Sequence, residues 1–567
     1  MSLNKLLKII VIPCLLLFTL SVNAQDKVIT GKVVDSKDGS ALPGVTVTAK
    51  GGKIGTQTKS DGTFSIKVSS STTALIFSSV GFGTKESSIA GTSSVDVSLV
   101  LTNASLGEVV VTGYGTARRR DLTGSITTVS SKDFQKGPIT SPEGLINGKV
   151  AGVQITNGGG APGSGSRIII RGGASLSASN SPLIVLDGVP LDNNGISGAA
   201  NPLSLINPND IESFNVLKDA SATAIYGNRA SNGVIIITTK KGKAGDLKIG
   251  FSSLFSVYDA TGRTDVLTGD QLRTLVNGKG TSAQKNLLGT ANTNWQDQVY
   301  QTALGTDNNI SLSGGISKLP YRLSIGYLNQ EGVLKTGKLE RMSGNLNLSP
   351  VLLDKHLKVD INLRGTTNQT RFANEGAIGA AASFDPTQPV YNTNGRFGGY
   401  FEWIDNNRPY GLAPRNPVGL LLLRKDESTV NRFIGNVQLD YKLHWLPDLR
   451  ANLNVGIDRS NGEGTIQVPD SAGQAYINTS PAGLQTSGLN NKYEQKKKNK
   501  LLEFYLNYSK EITSIKSAVD FLVGYSYQDF LTKSPSFPSK GPMELPINRQ
   551  IQILLKQKIR LSLFSVV

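Results

Sequence analysis

The residues best suited to chemistry are few in this sequence and stand far apart. The chain has two histidines, His356 and His444, and one cysteine, Cys14. Nucleophilic catalysis needs a nucleophile, a base and an orienting group in one site, and a metal site needs several ligands at short spacing. Neither pattern occurs in the sequence, since each histidine stands alone in a turn-like segment. We therefore predict a non-enzyme with no catalytic residue, no metal and no cofactor.

A glycine-rich run from Gly158 to Gly165 has the composition of a phosphate-binding loop. Such a loop ends in Gly-Lys followed by Ser or Thr and leads directly into a helix. This run lacks that ending, and Pro162 interrupts the start of any helix. The run is better interpreted as an ordinary loop within a larger domain.

Residues 1–24 have the pattern of a secretory signal peptide. Lys5 and Lys8 precede an apolar run, and Ala24 completes a small-residue cleavage pattern. Cleavage after this pattern also removes Cys14, so the mature chain is expected to carry no thiol and no disulfide.

The formal net charge of +17 raises the question of a polyanionic partner. The basic residues are scattered, and the densest run, Lys496 to Lys498 followed by Lys500, lies between strand-like segments. A solvated loop is the prediction for this run, and attraction to anionic lipid of an outer leaflet is the alternative. No nucleic-acid-binding motif accompanies the charge, so nucleic acid is not an expected partner.

Residues 27–101 predict a small β-sandwich. Short apolar strands alternate there with turn dipeptides such as Asp38-Gly39, Pro43-Gly44 and Asp61-Gly62. The predicted strands are Val28 to Val34, Val45 to Ala49, Gly62 to Val68, Ala74 to Ser78 and Val95 to Leu101. The amino-acid sequence of this segment resembles that of the carboxypeptidase-regulatory-like domain, and this resemblance implies no catalysis.

Residues 106–115 contain Glu108-Val109-Val110-Val111-Thr112 between glycines. Three consecutive β-branched residues favour an extended segment that can pair with the edge of another protein's sheet. One more core strand is the alternative on local chemistry alone. The position between a sandwich and a Gly-rich domain resembles the TonB box of outer-membrane transporters, which implies that all five residues bind a TonB-type energy transducer.

Residues 116–243 contain three long motifs, around Arg171-Gly172, Asp187-Gly188 and Lys218 to Gly233. In this order they resemble the plug domain of SusC/RagA family TonB-linked outer-membrane proteins. The resemblance is carried by Arg171, Gly172, Asp187, Gly188, Lys218, Asp219, Tyr226, Gly227, Arg229, Asn232 and Gly233. Local propensities predict a short helix from Lys218 to Tyr226 and a buried strand from Val234 to Thr239, hence a compact α+β domain.

Residues 246–540 alternate between apolar and polar side chains, as Leu357 to Arg364 and Leu449 to Asp458 illustrate. Strands with one face in lipid and one toward a wet lumen need this period, although a soluble antiparallel sheet shows it too. Long and short links also alternate, as expected for outer loops and periplasmic turns. We predict about nine strands of an incomplete transmembrane antiparallel β-barrel. Their predicted positions are 247–257, 308–316, 321–328, 339–348, 357–364, 433–443, 449–458, 502–508 and 519–527.

Residues 541–567 lose this alternation. We expect an atypical tail, for which an out-of-frame sequence is one interpretation. We also expect a truncated and inactive copy of the family architecture, because an open sheet leaves unpaired edges.

The resemblance implies TonB-dependent import across the outer membrane after Sec export. An oligosaccharide or a peptide is the implied substrate, and a SusD-like surface lipoprotein is the implied partner. A cell-surface binding or adhesion protein without transport is the alternative.

Overall fold

The structure is a computed structural model of the 567-residue chain. It divides into two compact units, residues 1–109 and 110–567. The residues that it describes are 26–51, 54–79, 82–100, 109–111, 116–118, 126–173, 179–192, 194–219, 224–316, 318–392, 395–476, 488–512, 517–537 and 556–561.

The first unit is a β-sandwich, as predicted. One sheet has the order β4-β1-β7 and the other β3-β2-β5-β6, and Val33, Val47 and Phe77 are fully buried between them. The strands are β1 (Lys27–Asp35), β2 (Thr46–Ala49), β3 (Gly55–Gln57), β4 (Thr63–Val68), β5 (Ala74–Ser78), β6 (Lys85–Ser88) and β7 (Val97–Leu99). The sequence patterns did not indicate β3 and β6, because neither short strand contains an apolar alternation.

Two short strands, β8 (Val109–Val111) and β9 (Thr116–Arg118), pair with each other in a separate two-stranded sheet.

The plug region contains a mixed five-stranded sheet of order β10-β15-β16-β13-β14 and a hairpin of β11 with β12. Its core is mainly aliphatic, and every residue of β13 is buried. The strands are β10 (Ile126–Ser130), β11 (Val153–Asn157), β12 (Ser166–Ile170), β13 (Leu183–Leu186), β14 (Val189–Pro190), β15 (Ile211–Leu217) and β16 (Val234–Thr239). The Gly158 to Gly165 run is the loop of the β11–β12 hairpin, as predicted.

Helical structure in the described plug residues is 3-10 rather than α-helical. The segments are Pro142–Ile146, Pro202–Leu205, Pro208–Asp210 and Ala224–Ala230. The predicted helix from Lys218 to Tyr226 is corrected accordingly: its described end is a 3-10 turn that breaks at Gly227, where φ is 64°. A glycine tolerates this positive φ, so Gly227 does end the helical turn as expected. The middle of the predicted helix, residues 220–223, lies outside the described residues.

A large antiparallel sheet follows, in the order β17-β18-β19-β20-β22-β25-β26-β27-β28-β29, with β21 paired to β22. All nine predicted strand positions are occupied. The strands are β17 (Lys248–Tyr258), β18 (Ala303–Ile316), β19 (Leu319–Glu331), β20 (Lys338–Leu348), β21 (Val351–Leu352), β22 (Leu357–Arg371), β25 (Lys425–Lys442), β26 (Leu449–Val468), β27 (Leu489–Ile512), β28 (Ser517–Lys533) and β29 (Lys556–Leu561). The predicted tail thus contains a strand, β29, which pairs with β28. Within the described residues the sheet does not close on itself.

Alternate residues of this sheet point to opposite faces. On β27, Lys497 and Glu503 are buried toward the plug, whereas Lys498 and Leu502 are exposed on the other side. We call these the plug-facing face and the outward face. The predicted loop at Lys496 to Lys500 is therefore wrong, because the run lies within a long strand.

Long links at one end of the sheet carry helices and a small hairpin. The helices are α1 (Gly269–Lys279), α2 (Ser282–Lys285), α3 (Trp295–Val299), α4 (Gly376–Ser383) and α5 (Pro417–Leu422), and the hairpin strands are β23 (Ile404–Asp405) and β24 (Arg408–Pro409). Trp295, Phe384 and Leu421 form one buried cluster that joins two of these links. No helix in the described part of the chain is long and apolar enough to span a membrane.

The two histidines lie in neighbouring short turns at the opposite end of the sheet. They are not isolated, because β22 and β25 are paired and bring His356 and His444 into ring stacking at 3.9 Å between centroids.

Candidate functional site

The tight turn between β13 and β14 is held by side chains from three strands of the large sheet. Asp187 adopts a positive φ of 44° in this turn. Its carboxylate accepts hydrogen bonds from the Thr239 amide at 2.9 Å and the Thr239 hydroxyl at 2.7 Å. Arg364, on β22, forms a buried ion pair with the same carboxylate. One aspartate therefore joins two plug strands to a strand of the sheet.

The main chain of this turn is held as well. The carbonyl of Asp187 accepts hydrogen bonds from Asn436 Nδ2 at 3.0 Å and from Gln438 Nε2 at 2.8 Å, and both side chains belong to β25. The carbonyl of Gly188 accepts from Asn454 Nδ2 on β26 at 2.9 Å. Gly188 has a φ of 84°, and a Cβ there would lie 2.3 Å from Gln438 Nε2. Glycine is therefore required for both the turn and the contact.

Asp210 makes a second attachment, from the end of a 3-10 turn to β19. Its carboxylate accepts from Arg322 Nη1 at 3.0 Å and from Ser324 Oγ at 2.6 Å, and all three side chains are buried. A buried carboxylate that accepts two hydrogen bonds fixes the position of the plug more strictly than a surface ion pair does.

Arg341, on β20, is 2% exposed. It donates hydrogen bonds to main-chain carbonyls of the plug instead of pairing with a carboxylate. Its Nη1 donates to the carbonyl oxygens of Thr140 at 2.7 Å and Ser204 at 2.8 Å. A buried guanidinium needs such acceptors to offset its lost hydration. Arg341 therefore ties two loops of the plug to one strand.

Arg229 and Lys497 make further attachments toward β27 and β28. Arg229 donates to the carbonyl of Leu191 at 2.9 Å and to Gln528 Oε1 at 2.7 Å. Lys497 donates to Asp192 Oδ2 at 2.9 Å. The polar attachments thus reach from β19 to β28.

The other motif residues hold the plug together internally. Arg171 pairs with Asp219, Lys218 donates to the carbonyl of Ala151 at 2.8 Å, and Asn232 donates to that of Ser179 at 2.8 Å. Gly172 and Gly233 both have a φ of 87°, and the side chain of Tyr226 is buried in the plug core.

The predicted motif therefore divides into two groups. Asp187, Gly188 and Arg229 contact the large sheet, and the others stabilise the plug itself. Sequence reasoning missed Asp210, Arg322, Arg341 and Arg364 as site residues. Arg341 and Arg364 stand at the polar positions of alternating strands, and this is the signal that could have found them.

The predicted transducer-binding residues are placed only in part. Val109, Val110 and Val111 form β8, an extended strand as expected. Glu108 and Thr112 lie outside the described residues.

Glu402 lies buried among the long links and is 5% exposed. Its Oε1 accepts the Asn416 amide at 3.1 Å, while its Oε2 has no hydrogen-bond partner in the described structure. Burial raises the pKa of this carboxyl to about 7, although the Asn416 hydrogen bond and nearby Arg415 favour the charged form. The long links therefore contain one carboxyl that titrates near neutrality.

Comparison with known families gives two matches. Residues 118–234 match the TonB-dependent receptor plug domain, and residues 29–111 match the CarboxypepD_reg-like domain. Both matches agree with the resemblances noted in the sequence.

Comparison with characterised proteins extends the match over most of the chain. The sequence is 40% identical over 528 residues to the TonB-dependent receptor SusC of Bacteroides thetaiotaomicron, covering 90% of this chain and 51% of that protein. It is 33% identical over 536 residues to a TonB-dependent receptor of Formosa agariphila, covering 93% of this chain and 50% of that protein. Over the matched residues the chain is similar to TonB-dependent receptors, SusC among them. These relatives are receptors rather than enzymes.

Among solved structures, the RagAB peptide importer in its open-open state matches with a TM-score of 0.61 at 24% identity. The match covers 79% of this chain and 52% of that one, and it supports the shared fold. The chain spans about half the length of the curated relatives that it matches.

Proposed function

We propose that the receptor represented by this chain serves TonB-dependent import of a nutrient across the outer membrane; that this copy is truncated and inactive stays a prediction. The observation that carries the proposal is the plug held against the plug-facing side of a large antiparallel sheet by buried polar groups of Asp187, Asp210 and Arg341. A plug inside a wide sheet is the arrangement that an energy-coupled gate needs.

Polar attachments suit a gate better than an apolar interface does. Each hydrogen bond exchanges with water at a modest net cost, so the interface can open without exposing a large apolar surface. An apolar interface of the same size would strongly oppose separation.

The chain order indicates which part of the plug moves first. A pull on β8 reaches β10 before any other strand of the plug sheet. Among the described strands, β10 is an edge strand that pairs with β15 alone, over five residue pairs, and Val129 is its one buried residue. Asp187 and Asp210 hold later parts of the plug. We therefore infer that β10 is displaced while the remainder stays attached.

The energy transducer is the proposed partner of residues 108–112. Pairing of β8 with β9 occupies one edge of β8, and a strand has two edges, so strand addition by a partner is compatible with the structure.

The long links are the proposed contact for a SusD-like surface lipoprotein. They form a packed platform around Trp295 and Phe384 that still exposes large apolar side chains, namely Tyr391, Ile404, Tyr410 and Leu412. Exposed apolar side chains on an ordered platform are typical of protein contacts. An oligosaccharide or a peptide is the proposed substrate class.

The test is the substitution Val110→Pro in the receptor that contains this sequence, made in a cell whose growth on the nutrient depends on that receptor. Proline removes a ladder donor, so uptake should be lost while substrate binding to cells is retained. A threonine at the same position is the matched control and should support normal uptake. Unchanged uptake in the proline variant would contradict energy coupling and favour a surface binding or adhesion protein.

A further inference from the structure

We propose that five basic side chains on the outward face bind phosphate groups on the headgroup of an outer-leaflet lipid. They are Arg459 on β26, Lys496, Lys498 and Lys500 on β27, and Lys533 on β28. We call this set the basic patch. The inference rests on the proposed function, because it requires the sheet to lie in an outer membrane.

The alternation of the strands places the patch on the outward face. Lys497 and Asn499 are buried toward the plug, and their neighbours Lys496, Lys498 and Lys500 are exposed. On β26, Asp458 is buried and pairs with Arg432, which also donates to a plug carbonyl, so Arg459 points the other way.

The register brings like charges directly opposite each other. Arg459 is the cross-strand partner of Lys498, and Lys496 is that of Lys533. Like charges in such pairs repel and destabilise a sheet. Among the residues described, Arg459, Lys498 and Lys533 form no ion pair with an acidic side chain. An external anion would relieve this repulsion.

Acidic groups near the patch do not balance it. Glu494 pairs with Lys496, and Asp529 lies across from Lys500. Glu463, exposed on the same face, lies across from Glu494. Three carboxylates thus accompany five cations, so the patch keeps an excess of positive charge.

The patch lies next to an apolar band. On β27 the outward residues after Lys500 are Leu502 and Phe504, and on β26 those before Arg459 are Val455 and Ile457. On β25 the outward side chains from Phe433 to Tyr441 are mostly apolar, a length close to the roughly 9–11 residues with which a tilted strand crosses a bilayer. A cationic cluster at the edge of such a band lies at headgroup depth, where lipid phosphates are found.

Because the basic patch lies beside an apolar band, we expect it to bind a lipid more tightly than free phosphate. The apolar band holds acyl chains beside the patch, so a phosphorylated glycolipid contacts both surfaces at once, whereas a free anion contacts only the exposed charges. Each cation near an anionic membrane surface strengthens binding by about fivefold.

The test uses the full chain in neutral-detergent micelles, titrated with fluorescent bisphosphorylated lipid A. The double variant Arg459→Gln, Lys498→Gln should bind about 30-fold more weakly. The matched control is Lys318→Gln, Lys510→Gln, which removes two exposed cations at the short-turn end of the sheet and should bind as the unsubstituted chain does. Circular dichroism verifies that all three proteins keep the same fold.

Three results would overturn the proposal. These are equal binding by the patch variant and the unsubstituted chain, equal binding of a dephosphorylated lipid A, and displacement of the labelled lipid by inorganic phosphate at a matched phosphate concentration. The last result would assign the patch to free anions. None of them bears on transducer binding by β8, which is measured separately, so failure here and failure of the proposed function are distinguishable.

Discussion

At the scale of single residues, the buried charges of the plug are held by groups from the large sheet. Asp187 illustrates this best, because its carboxylate bonds to Thr239 and Arg364 while its carbonyl bonds to Asn436 and Gln438. Removing one partner of a buried pair leaves the other charge without compensation, which costs far more than breaking a surface pair.

The first prediction follows for Asp187→Asn. Asparagine tolerates the positive φ and can keep a bond to Thr239, but it leaves Arg364 buried without its counter-charge. We expect the free energy of unfolding in micelles, measured with urea, to fall by about 3–5 kcal/mol. Asp219→Asn, which breaks the exposed pair with Arg171, is the control and should change it by less than about 1 kcal/mol. Equal effects of the two substitutions would contradict the assigned role of Asp187.

The second prediction concerns Glu402. Its folded pKa of about 7 exceeds the ordinary value of 4.5, so the folded state binds its proton more tightly than the unfolded state. The contribution of Glu402 to the stability of the folded links is therefore greatest below about pH 4.5 and falls as the pH rises to 7. Glu402→Gln should remove this dependence and stabilise the links by about 3 kcal/mol above pH 7. Amide hydrogen exchange of residues 372–424 across this pH range provides the measurement, and identical pH profiles would show the prediction to be wrong.

The sequence predicted only part of the site at this scale. Asp187-Gly188 was recognisable as a turn from its residue types. Its partners Arg364, Asn436 and Asn454 were not, because they lie on three strands far along the chain and only the pairing of β22, β25 and β26 brings them together.

At the scale of elements, the sequence located strands well and their outer ends poorly. Alternation predicted β25 at 433–443 and β27 at 502–508, whereas the strands are Lys425–Lys442 and Leu489–Ile512. The apolar alternation ends where the outward face becomes polar, but the backbone ladder continues beyond that point. The hydrophobic pattern of a sequence depends on what surrounds a strand and does not show how far its backbone hydrogen bonds extend. For this reason the run from Lys496 to Lys500 was predicted as a loop although it lies within β27.

The third prediction is that residues 27–101 fold alone as a soluble monomer. The two sheets of this sandwich enclose a core from their own strands, with Val33, Val47, Leu75 and Phe77 fully buried. Expressed separately, the segment should show β-type circular dichroism and one cooperative thermal transition. A disordered spectrum would contradict the boundary or the fold.

At the scale of the whole molecule, β8 contains the point along the chain where the two compact units divide, which is between Val109 and Val110. It also precedes the edge strand β10 of the plug, so a pull applied there acts first on a strand at the edge of the plug sheet. This position, more than the composition of the segment, supports its assignment as the energy-coupling strand.

The most direct test of that assignment is disulfide cross-linking of Val110→Cys to single cysteines along the carboxyl-terminal strand of the TonB-type transducer. The mature chain is expected to carry no other thiol, since Cys14 lies in the predicted signal peptide. Strand addition predicts high yield at alternate transducer positions, and a reversed alternation for Val109→Cys and Val111→Cys, because successive side chains point to opposite faces. No cross-link, or a yield that is independent of position, would contradict the account.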